Sequence, residues 1–126
     1  MKQYFGLGLA ILAGAALGAA AVDRLHAQGK SGAYSVIEIS EVTKPDAYNP
    51  ITTKGPEAAK AFGGRYVIRT NDIAAADGMP PKRIIVIGFD SMEKLKAWYA
   101  SPAQKEVDAI RLKTSKSRQF FVEGEY

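Results

Sequence analysis

A chain of 126 residues, 24% charged and 47% hydrophobic, has room for one domain core and not two. It carries no cysteine and a single histidine, His26, which excludes disulfide scaffolds, cysteine nucleophiles and cysteine zinc sites. The net charge of +4 is that of an ordinary solvated basic surface, and with no nucleic-acid motif beside it, no nucleic-acid partner is expected.

The N-terminal residues do not read as domain material. Met1 and Lys2 open a short positive region, and Tyr4 to Val22 carry no charge and are rich in Ala and Gly. Small-residue sites follow at Ala19-Ala20-Ala21 and Leu25-His26-Ala27. That layout predicts a signal peptide over residues 1–27, with cleavage after Ala27 as first choice and after Ala21 as second. The alternative is an uncleaved membrane anchor, because the uncharged run just spans a bilayer core of roughly 30 Å. Gly14 and Gly18 also form a GxxxG pair of the kind that packs such helices. The Ala/Gly richness favours cleavage and export to the periplasm, with attachment to the inner membrane as the alternative. Cleavage after Ala27 removes His26, leaving a domain with neither His nor Cys. Ser-His-Asp and Cys-His nucleophile systems, His- or Cys-ligated haem and His/Cys zinc sites are then ruled out. No cofactor or metal is expected.

Residues 28–32 read as a linker and 33–126 as the domain. Ala33 to Val42 alternate as a strand, with Tyr34, Val36, Glu38 and Ser40 on one face and Ile37 and Ile39 on the other. A helical region starts at Pro45-Asp46, with Asp46 as N-cap, and is interrupted at Pro50 and Gly55-Pro56. Its second piece is predicted over Pro56 to Phe62, Pro56 at the first helical position and Gly63 as the left-handed stop. The next strand, Gly64 to about Thr70, is predicted to point Arg65, Val67 and Arg69 one way and Tyr66 and Ile68 the other.

After a loop containing Asp77-Gly78 and Pro80-Pro81, Arg83 to Phe89 is nearly continuous Ile/Val. That strand is expected to be buried on both faces. Ser91 caps a helix whose Met92, Leu95, Trp98 and Tyr99 form one stripe, and Ser101-Pro102 repeats the start for a second apolar face at Ala103, Val107 and Ile110. Lys113 to Ser117 read as a connector and Gln119 to Glu123 as the last strand. The order is β-α-β-β-α-β. A right-handed split βαβ puts the third strand between the first and second, an α+β ferredoxin-like sandwich with helices on one face. The doubly apolar third strand asks for cover on the other face, so a sheet-to-sheet homodimer is expected.

Two arginines on an apolar strand need carboxylate partners or an anionic ligand. Arg65 and Arg69, roughly 13 Å apart along the strand, suit the lining of an elongated cavity. Glu38, two strand spacings away, is the candidate catalytic base, and Tyr48 the candidate hydrogen-bonding group for a substrate oxygen. Each has a plainer alternative: a structural ion pair at the dimer interface for the arginines, the core edge for Tyr48. Trp98 and Tyr99 read as core, and the basic residues Arg111, Lys113, Lys116 and Arg118 as charge complementing a helix C-terminus. Two functions stay open. One is a small-molecule enzyme or binding protein for a polar or anionic ligand, using Glu38, Tyr48, Arg65 and Arg69. The other is a non-catalytic dimeric module.

Several stretches also share one pattern: Glu38, Asp46-Ala47-Tyr48, Phe62-Gly63-Gly64-Arg65-Tyr66, the Pro81-Lys82-Arg83-Ile84-Ile85-Val86-Ile87 strand, Ser91-Met92-Glu93, Ala97-Trp98-Tyr99-Ala100-Ser101-Pro102 and Phe121-Val122-Glu123-Gly124. Together they resemble the domain-of-unknown-function family DUF1330, within the dimeric α+β barrel superfamily, over nearly the whole domain. The resemblance implies a ferredoxin-like fold and a dimer whose sheets form a barrel. It implies no activity. The superfamily includes cofactor-free monooxygenases, muconolactone isomerase-like enzymes and haem enzymes, the last disfavoured by the missing histidine. Two positions depart from the family pattern: Ile51 stands where a second tyrosine is frequent, and Gly88 where many members have Glu.

Overall fold

The computed structural model describes residues 32–124. The signal-peptide and anchor readings, and nearly all of the expected linker, lie outside the described residues. Four strands form one sheet: β1 (Gly32–Val42), β2 (Arg65–Thr70), β3 (Arg83–Phe89) and β4 (Ser115–Gly124), in the order β2-β3-β1-β4. Every hydrogen-bonded pair is antiparallel, which leaves β1 and β2 parallel with β3 between them. This is the split βαβ topology of a ferredoxin-like α+β fold.

Alternation sorts the side chains onto two unlike faces. Ile37, Ile39, Ile85, Ile87 and Phe89 are buried under the helices and form the core with Leu95, Trp98 and Val107. Fully burying a side chain of this size stabilises by about 1.5–3 kcal/mol, so this layer holds the fold. On the other face, Ile68, Val86, Val36 and Phe120 form a row across the four strands, and Thr70, Ile84, Glu38 and Arg118 form the next. No element of the described chain covers these rows, and Ile68 and Phe120 are 45% and 43% exposed. Ile84 and Val86 are accordingly half-buried. The expectation that β3 is buried on both faces does not hold within one chain.

Two short helices, α1 (Pro45–Tyr48) and α2 (Ile51–Lys60), make the first crossover. Lys44 precedes α1, so Asp46 sits in the first turn, where it complements the helix dipole, and is not the cap. α2 begins at Ile51 rather than Pro56 and runs through the proline. Gly55 permits this, having no Cβ to strike the ring that follows. Gly63, at φ +75°, is the expected stop: its N–H donates to the Lys60 carbonyl, and that of Gly64 to Ala59.

The second crossover, α3 (Met92–Ala100) and α4 (Pro102–Thr114), starts twice on a serine. Ser91 and Ser101 accept from the N–H groups of Lys94 and Gln104. Trp98 is fully buried, and Tyr99 packs edge-on against Phe121. β4 begins at Ser115, inside the segment expected to be a connector. Ser115 Oγ donates to the Arg111 carbonyl and Ser117 Oγ accepts from Arg111 Nη1, which ties the helix end directly to the strand.

Candidate functional site

In β2 the register against β3 shifts: Tyr66 lies opposite Ile87, Ile68 opposite Val86, and Val67 is the inserted residue between them. One extra residue reverses the alternation beyond it. Arg65, opposite Gly88, therefore lies on the open face, and Arg69, opposite Ile85, on the helix face. The two arginines expected on one face of β2 therefore point to opposite faces of the sheet. Tyr66, expected to point away from Arg69, shares its face, with the guanidinium 5.5 Å from the ring centre.

Glu38 also lies on the open face, where it accepts from Arg118 Nε at 2.5 Å. Its row across the sheet ends at Thr70, whereas that of Arg65 passes through Gly88 and Tyr34. Glu38 therefore meets neither Arg65 nor Arg69, and the expected cluster of all three does not form.

On the helix side the fold assembles a different group. Tyr48, Tyr66, Arg69 and Arg83 border a cavity of about 30 Å³ walled by Ile37, Ile51, Ile85, Ile87 and Val107. That volume holds roughly one or two water molecules. Tyr48 enters from the end of α1 and is 5% exposed. Arg83, the first residue of β3, lies 5.7 Å over its ring, donates to its hydroxyl at 3.4 Å and donates Nε to Asn71 Oδ1 at 2.7 Å. Arg69, stacked likewise on Tyr66, donates to the Thr52 carbonyl at 3.2 Å.

Two outer grooves continue the cavity. One, of about 350 Å³, shares Tyr48, Thr52 and Arg83 and adds Lys82. The other, of about 590 Å³, shares Tyr66 and Arg69 and adds Lys60 and Arg65. Arg65 thus belongs to an outer approach.

The electrostatics are one-sided. No carboxylate lines the cavity or either groove. Among the described residues, none pairs with Arg65, Arg69 or Arg83. Burial pushes the Tyr66 hydroxyl up to about 12, with Arg69 pulling it down and the neighbouring Tyr48 raising it. Tyr66 is therefore a neutral donor at physiological pH. Among the described residues there is no cluster of three His, Cys, Asp or Glu able to hold a metal, and no helix long and apolar enough to cross a membrane.

Behind the cavity, α4 turns a polar strip inward. Gln104 and Arg111 line the cavity and are 2% and 5% exposed. Gln104 Nε2 donates to Asp108 Oδ1 at 3.0 Å, and Arg111 Nη2 lies 3.6 Å from the same oxygen. Arg111 also donates to Ser117 Oγ at 2.6 Å and Gln119 Oε1 at 3.0 Å, and Gln119 Nε2 donates to Ser35 Oγ. Burial raises the Asp108 carboxyl above its ordinary value, against the opposing pull of Gln104 and Arg111. Gln104 Oε1, Asp108 Oδ2 and Arg111 Nε have no hydrogen-bond partner in the protein.

Sequence reasoning missed Arg83 and this strip, and took Arg111 for surface charge. The signal was present: Gln104, Asp108 and Arg111 stand at i, i+4 and i+7, on the stripe that also holds Val107.

The fold has solved relatives. A protein of unknown function from Rhodopseudomonas palustris is similar with a TM-score of 0.57 at 14% identity, covering 79% of this chain and 90% of that one. A dimeric ferredoxin-like protein of unknown function from Jannaschia sp. CCS1 gives 0.57 at 10% identity, over 72% of this chain and 97% of that one. An ethyl tert-butyl ether D (EthD) family protein from Bacillus halodurans gives 0.55 at 15% identity, over 75% and 98%. Identities this low speak to the fold alone. No curated protein matches the chain. Residues 32–125 match the model of one family along the whole described chain, and the protein belongs to that family, DUF1330, a domain of unknown function.

Proposed function

We propose that this protein binds a small anionic molecule, a carboxylate or an enolate, between its sheet and helices. Arg83 and Arg69 hold the charge, Tyr48 and Tyr66 hydrogen-bond the oxygens, and Arg65 belongs to the approach. One observation carries this reading: the cavity and its two grooves are lined by Arg69, Arg83, Arg111, Lys60, Arg65 and Lys82 and by no carboxylate. Of these, Arg111 is paired with Asp108, and it is Arg69 and Arg83, guanidinium groups without counter-ions at the edge of an apolar cavity, that favour an oxyanion. The mouth presents donors and no general base, so the geometry supports holding an oxyanion rather than abstracting a proton. Glu38, on the far face, has no part in it.

Calorimetric titration of the full chain with benzoate and butanoate tests the reading. Binding that Arg83→Gln weakens at least tenfold is expected. Absence of binding by the unaltered chain overturns it.

A second, compatible reading concerns the open face. The uncovered Ile68, Val86, Val36 and Phe120 row supports a homodimer packed sheet to sheet, with the Glu38–Arg118 pair facing the partner copy. The Jannaschia relative, described as dimeric, is in line with this. Sedimentation should give the mass of two chains, and that of one chain after Val86→Asp; a single-chain mass for the unaltered protein removes the reading. The composition of residues 1–27 supports export to the periplasm, with inner-membrane attachment as the alternative. N-terminal sequencing of the exported protein distinguishes them.

A further inference from the structure

The two outer grooves bear on how many charges the ligand carries, and the inference rests on the anion reading just given. Arg69 lies opposite Ile85, so Arg83, two residues earlier on β3, is its diagonal neighbour on the helix face. Diagonal neighbours of this kind are about 7–8 Å apart. The two guanidinium groups nonetheless serve different spaces. Arg83 lines the groove of about 350 Å³ and not the other, and Arg69 lines the groove of about 590 Å³ and not the first. Each has its own anchors, Asn71 Oδ1 and the Tyr48 hydroxyl for Arg83 and the Thr52 carbonyl for Arg69.

Both grooves carry the same kind of charge. Lys82 joins Arg83 in one, Lys60 and Arg65 join Arg69 in the other, and no carboxylate lines either. Between them lies the mouth of the cavity, bordered by Tyr48, Thr52 and Tyr66, which present rings and hydroxyls and no cation. The cavity, at about 30 Å³, has no room for a carboxylate with its chain, so a ligand lies across the mouth and not in it. Water satisfies the hydrogen bonds of either arginine, but it brings no charge to offset two cations held as neighbours. One carboxylate neutralises one groove and leaves the other as it was. Two carboxylates on a single short chain neutralise both.

We propose that the ligand is a short dicarboxylate, one carboxylate on Arg83 and Lys82, the other on Arg69 and Lys60, its chain crossing the cavity mouth beside Tyr48 and Tyr66. Tethering makes the second carboxylate's binding intramolecular, so a diacid of matching length binds at least tenfold tighter than an acid with one charge. The gain disappears when the chain is too short to span the two grooves.

The test is calorimetric titration of the full chain, at fixed ionic strength, with succinate, glutarate, adipate, pimelate and suberate. Each is compared with its monomethyl ester, which removes one charge from a chain of the same length. The expected result is a chain length at which the diacid binds at least tenfold tighter than its ester, a margin that Arg69→Gln or Arg83→Gln narrows below threefold. A cationic surface without a fixed spacing would favour every diacid alike. If the acids bind but no length reaches a tenfold margin, or the margin is the same at every length, the dicarboxylate assignment is overturned while the anion reading stands. If neither diacids nor esters bind, the anion reading falls and takes this one with it. The length series is measured on the unaltered protein, so it decides the matter even if a variant does not fold.

Discussion

Arg69 donates to the Thr52 carbonyl because Pro56, four residues further along α2, has no N–H to claim that oxygen. A gap in the helical ladder thereby anchors a cation at the edge of the cavity. Pro56→Ala restores the competing N–H and removes the proline's helix penalty, worth up to about 3 kcal/mol. The variant should be more stable, and its carboxylate affinity several-fold weaker because Arg69 is released. Urea unfolding and calorimetry on one preparation check both. A stabilised protein with unchanged affinity would show that the Thr52 anchor does not matter.

Gly55 and Tyr66 are matched in the same way. A Cβ at Gly55 would lie 2.5 Å from the Tyr66 hydroxyl. Gly55→Ala should therefore destabilise by about 1–3 kcal/mol, overpacking outweighing the gain in helix propensity. In a Tyr66→Phe background the obstructing oxygen is gone, and the same substitution should cost clearly less, with only the contact between the new Cβ and the Pro56 ring remaining. A double-mutant cycle in urea reads the coupling, and additive effects would contradict the contact.

Tyr66 should ionise late. Its hydroxyl is pushed up to about 12, above the ordinary 10.0 of an unfolded chain. The folded state then holds a proton that the unfolded state releases, so this contribution is intact below pH 10 and is lost as the pH rises toward 12. Ultraviolet titration should show one late tyrosine step that Tyr66→Phe removes. The same variant should flatten the fall of stability above pH 10; an unchanged alkaline limb would contradict the burial of the hydroxyl.

Arg111 is the buried partner of Asp108 and of two polar side chains of β4. Arg111→Met strands a buried carboxylate and should cost about 3–5 kcal/mol at neutral pH. The Asp108 carboxyl is already raised from 3.8 by burial, and losing the cation raises it further. The deficit should therefore shrink as the pH falls toward the ordinary carboxylate range and Asp108 takes up its proton. Urea midpoints at pH 7 and pH 4 measure it; a deficit independent of pH would mean that Asp108 is not the stranded group.

The frame of the fold was legible because its signals are local. Ser91 and Ser101 cap their helices through contacts three residues long, Gly63 stops α2 by its own backbone, and the alternation of Ile37 and Ile39 with Glu38 and Ser40 fixes which way β1 faces, whereas the unbroken Ile/Val run of β3 carries no such mark. The site was less legible. The shift at Val67 arises in the pairing of β2 with β3, not in β2 itself, and it moved Arg69 to the face of Tyr66 and left Arg65 on the opposite face. Glu38 found Arg118 on the neighbouring strand, a register that strand counting did not reveal. Arg83 opens an Ile/Val run and looks like a strand boundary until Tyr48 is folded beneath it.

The claim that the cations on the helix side form an anion site is tested most directly at the arginines themselves. Spectra of the guanidinium Nε–H groups, followed while benzoate is added to the full chain, should show saturable shifts at Arg69 and Arg83. Arg118, ion-paired on the opposite face, should remain still. Shifts absent from Arg69 and Arg83, or confined to Arg65 and Arg118, would contradict it.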